Sequence, residues 1–155
     1  METVHIRPAV IEDEPAILAL VPRLHEFGPP PWRDLSAMIE IDKAKISGSL
    51  GNSDEGGAIL VAEADGRLAG FVHLFPVTDY YSDRPHCHVS DIIVDPASEG
   101  RGIGRALLSE AERWAKDRGY TWLTISVFEA NERAARIYEK AGFGRDMLRL
   151  VKPLT

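Results

Sequence analysis

The fold turns on the stretch Ile92-Ile93-Val94-Asp95-Pro96-Ala97-Ser98-Glu99-Gly100-Arg101-Gly102-Ile103-Gly104-Arg105-Ala106-Leu107-Leu108. An apolar strand stops at a proline and three alternating glycines follow. An amphipathic helix then begins, with apolar positions at Ile103, Leu107, Ala111, Trp114 and Ala115 and Gly119 closing it. Glycine lets a backbone turn sharply and come close to a ligand. The first amides of a helix have no partner within it, and the positive end of the helix dipole stands behind them. Strand, glycine turn and helix start together suit a diphosphate. Two familiar phosphate loops are excluded. No Gly-Lys-Ser/Thr occurs here, and the sixth residue is Arg105 counted from Gly100 and Leu107 counted from Gly102, where the dinucleotide pattern requires small residues. Taken alone, the stretch also fits a helix start that binds nothing.

Upstream, His86 to Asp95 reads as the strand that feeds this turn. Ala58 to Ala62 and Leu68 to Val77 read as two more strands, joined through Ala64-Asp65-Gly66-Arg67. Thr3 to Arg7 alternates and stops at Pro8, which predicts a short first strand. Asp13, Pro15 and the apolar Ile17, Leu18, Leu20 and Val21 predict a helix, interrupted by Pro22 and by Gly28-Pro29-Pro30-Pro31-Trp32. Leu35 to Ile46 resumes helical spacing, and the polar Gly48 to Gly57 reads as a loop. Downstream, Thr121 to Phe128 is β-branched strand, Asn131 to Ala141 a helix capped by Asn131, and Phe143 to Lys152 last-strand material.

At 155 residues the chain has room for one core, so a single domain over 1–155 is expected. Lys and Arg number 18 against 24 Asp and Glu, a net charge of −6, which argues against nucleic acid as the main partner. One cysteine, Cys87, excludes an internal disulfide framework and a cysteine-rich zinc site, and reads as a small buried filler. The N-terminus has no basic start followed by a long apolar core. The nearby apolar run, Ala16 to Val21, is far short of the roughly 20 residues that span a bilayer. A cytoplasmic protein without membrane contact is therefore expected.

A second stretch gives the first its meaning. Ser126-Val127-Phe128-Glu129-Ala130-Asn131-Glu132-Arg133-Ala134-Ala135-Arg136-Ile137-Tyr138-Glu139-Lys140-Ala141-Gly142-Phe143 runs strand, loop, capped helix and Gly-Phe. Together the two stretches resemble the GNAT superfamily of N-acetyltransferases. The first is similar to its acyl-CoA loop, Gln/Arg-x-x-Gly-x-Gly/Ala, and the second to its helix bearing Asn, small residues and Tyr. The resemblance implies an α/β (α+β mixed) GNAT fold: a central mixed, mostly antiparallel sheet with helices on both faces. It implies acetyl-CoA as acyl donor, no metal, and a homodimer. One position departs from the pattern: Glu99 stands where the family has Gln or Arg, and is expected to face solvent.

By the same resemblance, the backbone of Ile93 and Val94 pairs with the pantetheine arm. Arg101, Gly102, Ile103, Gly104, Arg105 and Ala106 cradle the diphosphate, and Asn131 and Ala134 border it. Arg101 and Arg105 are either phosphate partners or ordinary solvated arginines. Tyr138 lies seven residues after Asn131, hence on the same helix face, above Ala134 and Ala135. The resemblance makes it the acid that protonates the departing thiolate; a core tyrosine is the other reading. For the base that frees the acceptor amine, Asp91 is the first choice and His88 the second. Strand alternation places Val89, Asp91 and Ile93 on one face and His88 on the other. Trp32, Tyr80 and Tyr81 are candidates for stacking on a cationic acceptor, or simply for packing on one another. The expected activity is acetyl transfer from acetyl-CoA to a primary amine of a small molecule, peptide or protein. A longer acyl donor and a catalytically silent acyl-CoA-binding module are the alternatives.

Overall fold

The computed structural model describes residues 3–51 and 56–155, so Met1, Glu2 and part of the expected 48–57 loop lie outside the described residues. Five strands form one sheet in the order β1-β2-β3-β4-β5: β1 (His5–Pro8), β2 (Ala58–Ala64), β3 (Arg67–Thr78), β4 (Pro85–Val94) and β5 (Leu123–Ile125). The first four pair antiparallel and β5 lies parallel to β4. Parallel pairing needs a crossover, supplied by helix α3 (Ile103–Asp117). The other helices are α1 (Glu14–Leu20), α2 (Leu35–Gly51) and α4 (Glu132–Lys140). This is the mixed, mostly antiparallel sheet with helices on both faces that the resemblance implied.

Each face of the sheet carries its own core. On one, Ile103, Leu107, Ala111 and Ala115 of α3 pack against Leu60, Ala62, Val72, Leu74, Cys87 and Val89. On the other, Ile17, Val21 and Ile46 from the α1–α2 layer meet Ile59, Val61 and Phe71. Strand alternation produces the division: Ile59 and Val61 point one way, Leu60 and Ala62 the other. The β2–β3 turn holds Asp65 at φ 55° and Gly66 at φ 75°, the paired left-handed conformation of a tight hairpin.

Three expectations are corrected. Helix α2 continues past Gly48 to Gly51, because Ile46 and Leu50, one turn apart, carry the buried stripe onward. One glycine within it costs only about 1 kcal/mol. Strand β5 keeps only Leu123–Ile125 of the expected Thr121 to Phe128. No strand forms over Phe143 to Lys152. Those residues find no ladder partner, and Met147, Leu148 and Leu150 stand 73–84% exposed.

Candidate active site

Strands β4 and β5 pair only at Cys87–Leu123, His88–Thr124 and Val89–Ile125. Beyond Val89 they part, and Ser90 to Val94 keep β3 as a neighbour on one side with no strand on the other. The backbone of Ile93 and Val94 therefore borders an open slot. Gly70 lets β3 come this close: a Cβ there would lie 2.6 Å from the Ile93 carbonyl oxygen. Sequence reading missed that glycine, although its place opposite a slot-lining strand was in principle visible.

The turn after β4 leads into α3 through Gly100 (φ 80°) and Gly102 (φ 76°), left-handed conformations that favour glycine. The first intrahelical bond runs from the Ala106 amide to the Gly102 carbonyl, 3.0 Å. The amides of Ile103, Gly104 and Arg105 thus precede the helix's own ladder. A Cβ on Gly104 would touch Val94 Cγ2 at 3.7 Å, so these amides lie directly beside the slot. Nothing would stand within 4 Å of a Cβ on Gly100 or Gly102, which leaves room for a bulky anion.

Arg101 and Glu99, beside the turn, are already engaged. Arg101 donates to Asp65 on the β2–β3 turn at 3.0 Å, and Arg105 is exposed. Glu99 is exposed, as expected, and is also paired: Arg23 donates to its carboxylate at 2.6 Å, and Arg133 of α4 stands 3.9 Å away. This pairing ties the turn to the segment after α1.

Asn131 caps α4 by accepting from the Ala134 amide at 3.3 Å. Asn131, Ala134, Ala135 and Tyr138 form the half-buried side of this helix, while Glu132, Arg133, Arg136 and Lys140 are exposed. Tyr138 packs edge-on against Phe143, and burial pushes its phenol above the ordinary value. Its proton is therefore held well beyond neutral pH.

The acceptor side differs from plain alternation. His73 pairs with Asp91 but Leu74 with Val89, so Ser90 is an extra residue, a β-bulge. The bulge turns Val89 into the α3 core and Asp91 to the opposite, α1–α2 face. His88, expected on the other face from Asp91, joins it there. Its ring lies 5.6 Å from Phe75, which contacts His73 in turn. His88 accepts or donates with Thr124 Oγ1 at 2.8 Å, and burial pushes its imidazole below its ordinary value. Asp91 Oδ2 is 3.1 Å from His73 Nδ1, and His73 Nε2 is 2.8 Å from Ser49 Oγ on α2. Sequence reading missed Ser49 and His73, since only the bulge reveals which residues share that face.

The α1–α2 connection covers the same region. Phe27 stacks on Phe128 at 5.2 Å, Arg33 lies over the same ring at 5.5 Å, and His25 pairs with Asp42 at 2.6 Å. Trp32 is half exposed within this connection. Tyr80 and Tyr81 are not gathered with it. They pack edge to face at the β3–β4 turn, 90% and 85% exposed. That turn is at the end of β4 remote from Val94, roughly 30 Å away at ~3.3 Å per residue. Among the described residues no three His, Cys, Asp or Glu side chains gather to hold a metal, and no helix is long and apolar enough to cross a membrane.

A splayed β4 backed by a glycine turn and an open helix start defines an acyl-transferase type of fold. The sequence profile described as Acetyltransferase (GNAT) family matches residues 19–143, and the chain belongs to that family. It is 31% identical over 128 residues to N-acetyltransferase 8 of Rattus norvegicus, covering 82% of this chain but 57% of the rat protein. It is 30% identical to the uncharacterized N-acetyltransferase YhfO of Bacillus subtilis, over 92% of this chain and 91% of that protein. In fold it matches aminoglycoside N-acetyltransferase AAC(6')-Iy, solved in complex with CoA, with TM-score 0.73 and 19% identity over 100% of this chain and 97% of that one.

Proposed function

We propose that this enzyme, a single domain over residues 1–155, transfers an acetyl group from acetyl-CoA to a primary amine of a small molecule or peptide. The observation that carries the reading is the juxtaposition of the unpaired β4 edge with the first turn of α3, joined through a left-handed Gly102. Amides of Gly102 to Arg105 hold the diphosphate, whereas the expected Ala106 amide is already spent on the Gly102 carbonyl; Ile93 and Val94 pair with the pantetheine arm, and Asn131 and Ala134 line the far wall. When bound, acetyl-CoA supplies an activated thioester carbonyl. The Val94 backbone polarises that carbonyl, and Asp91, with His88 as second choice, takes the proton of the acceptor amine. Tyr138 keeps its proton at neutral pH and gives it to the departing sulfur. The chain's task is then positioning and proton handling.

Trp32 and the Phe27–Phe128–Arg33 cluster border the acceptor side, and the acidic balance of the chain favours a cationic acceptor. Exposed Met147, Leu148, Leu150 and Leu154 support a homodimer through the C-terminal segment.

Isothermal titration with acetyl-CoA, followed by an amine screen reporting free thiol, tests the proposal. Tyr138→Phe is expected to retain binding and lose turnover. Binding without turnover on any amine would favour a silent acyl-CoA module, and preference for longer thioesters would replace acetyl as the group transferred. Light scattering that gives a monomer would remove the dimer.

A further inference from the structure

On the α1–α2 face, Ser49, His73 and Asp91 form a continuous hydrogen-bonded chain from α2 through β3 to β4. His73 is 2% exposed, and the Asp91 side chain beside it is 11% exposed. A buried imidazole with both nitrogens in contact is fixed in ring orientation. A carboxylate accepts, so Nδ1 carries a proton; in the neutral ring Nε2 accepts and the Ser49 hydroxyl donates.

The same connectivity activates a nucleophilic serine in hydrolases, where the serine meets substrate and the carboxylate is the remote end. Here the direction is reversed. Asp91 is two residues from Ile93 on the slot-lining strand, and Ser49 lies on the far side of the ring. We propose that Ser49 and His73 are positioning residues for Asp91. The Nδ1–H holds Oδ2, so that Oδ1 is presented to the acceptor ammonium, and the serine hydroxyl locks the tautomer that makes this possible. In the step served, the N–H bond of the ammonium breaks, its electron pair stays on nitrogen for attack, and the proton goes to Asp91 Oδ1. The inference rests on the reading of Asp91 as the base. Other titratable groups on this face are His88, bonded to Thr124 of β5, and the His25–Asp42 pair from the α1–α2 connection and α2.

Two measurements on the full chain test it. In long-range ¹H–¹⁵N spectra of labelled protein, His73 is expected as the neutral Nδ1–H form at neutral pH, with its tautomer signature lost in Ser49→Ala. A proton on Nε2 would overturn the inference, whether or not any amine reacts. In thiol-release assays with acetyl-CoA and spermidine, glucosamine or an alanine-starting peptide, Asp91→Asn is expected to lose about 10²- to 10⁴-fold in kcat. His73→Leu is expected to lose roughly tenfold or more in kcat at unchanged KM for acetyl-CoA, and to move the acid limb of the pH profile. His73→Asn, which again offers an N–H near the Nδ1 position, is expected to recover most of the rate. A damaged Asp91→Asn beside a His73→Leu with unaltered kcat and pH profile would refute the inference alone. An active Asp91→Asn would refute the base reading, and the inference with it. An acetyl adduct on Ser49 would assign the serine as a nucleophile instead.

Discussion

Gly70→Ala, which changes no side chain assigned to the chemistry, should weaken donor binding. Gly70 pairs with Val94 in the β3–β4 ladder, and its added Cβ would meet the Ile93 carbonyl oxygen at 2.6 Å, Val94 Cα at 3.3 Å and Leu107 Cδ1 at 3.4 Å. Two of the three atoms are backbone and cannot rotate away, while Leu107 is fully buried. Strand β4 must therefore yield at the two residues assigned to the pantetheine arm. Overpacking of this kind costs about 1–3 kcal/mol of stability. A displacement approaching 1 Å at a positioning edge is worth about 10²-fold in rate. Urea denaturation should show the stability loss, and titration with acetyl-CoA should show weakened binding in the fraction that remains folded. A folded Gly70→Ala protein with unchanged affinity and rate would mean that the Ile93–Val94 edge does not hold the donor.

Gly104→Glu should fold normally, since its Cβ would meet Val94 Cγ2 at an ordinary 3.7 Å and a carboxylate suits a helix start. Its charge should lower acetyl-CoA affinity roughly tenfold or more, and unchanged affinity by calorimetry would move the diphosphate elsewhere. Gly102→Glu is a poorer probe, because φ of 76° strains any side chain there. Burial pushes the Cys87 thiol up to about 11, so a thiol reagent near neutral pH should label it only after denaturation. Hydrogen bonds from Arg7 hold the Asp13 carboxyl below its ordinary 3.8. That contribution to stability is complete above pH 3.8 and fades as pH falls through the lower folded value. Asp13→Asn should therefore flatten the acid limb of urea-denaturation stability against pH, and an unaltered limb would assign the acid sensitivity to other groups.

What the sequence could show was local. Gly100, Gly102 and Gly104 before an apolar stripe, and Asn131 seven residues before Tyr138, name the two motif helices because caps and glycine turns act within a few residues. The Asp65-Gly66 turn was legible for the same reason. The extra residue at Ser90 was not, since a bulge is defined by the partner strand. With it went the true face of Val89, the company of His88 and Asp91, and the link to His73 and Ser49. The pairing of Glu99 with Arg23 joins residues 76 positions apart and leaves no local mark. At Phe143 to Lys152 apolar residues suggested a strand, but strand formation also needs an edge, and β5 offers three residues.

A crystal structure of the full chain with acetyl-CoA addresses the central claim most directly. Diphosphate oxygens are expected within hydrogen-bond distance of the Gly102–Arg105 amides, with the thioester sulfur beside the Tyr138 hydroxyl. Acetyl-CoA bound in another part of the molecule, with the slot beside Ile93 and Val94 closed, would contradict it.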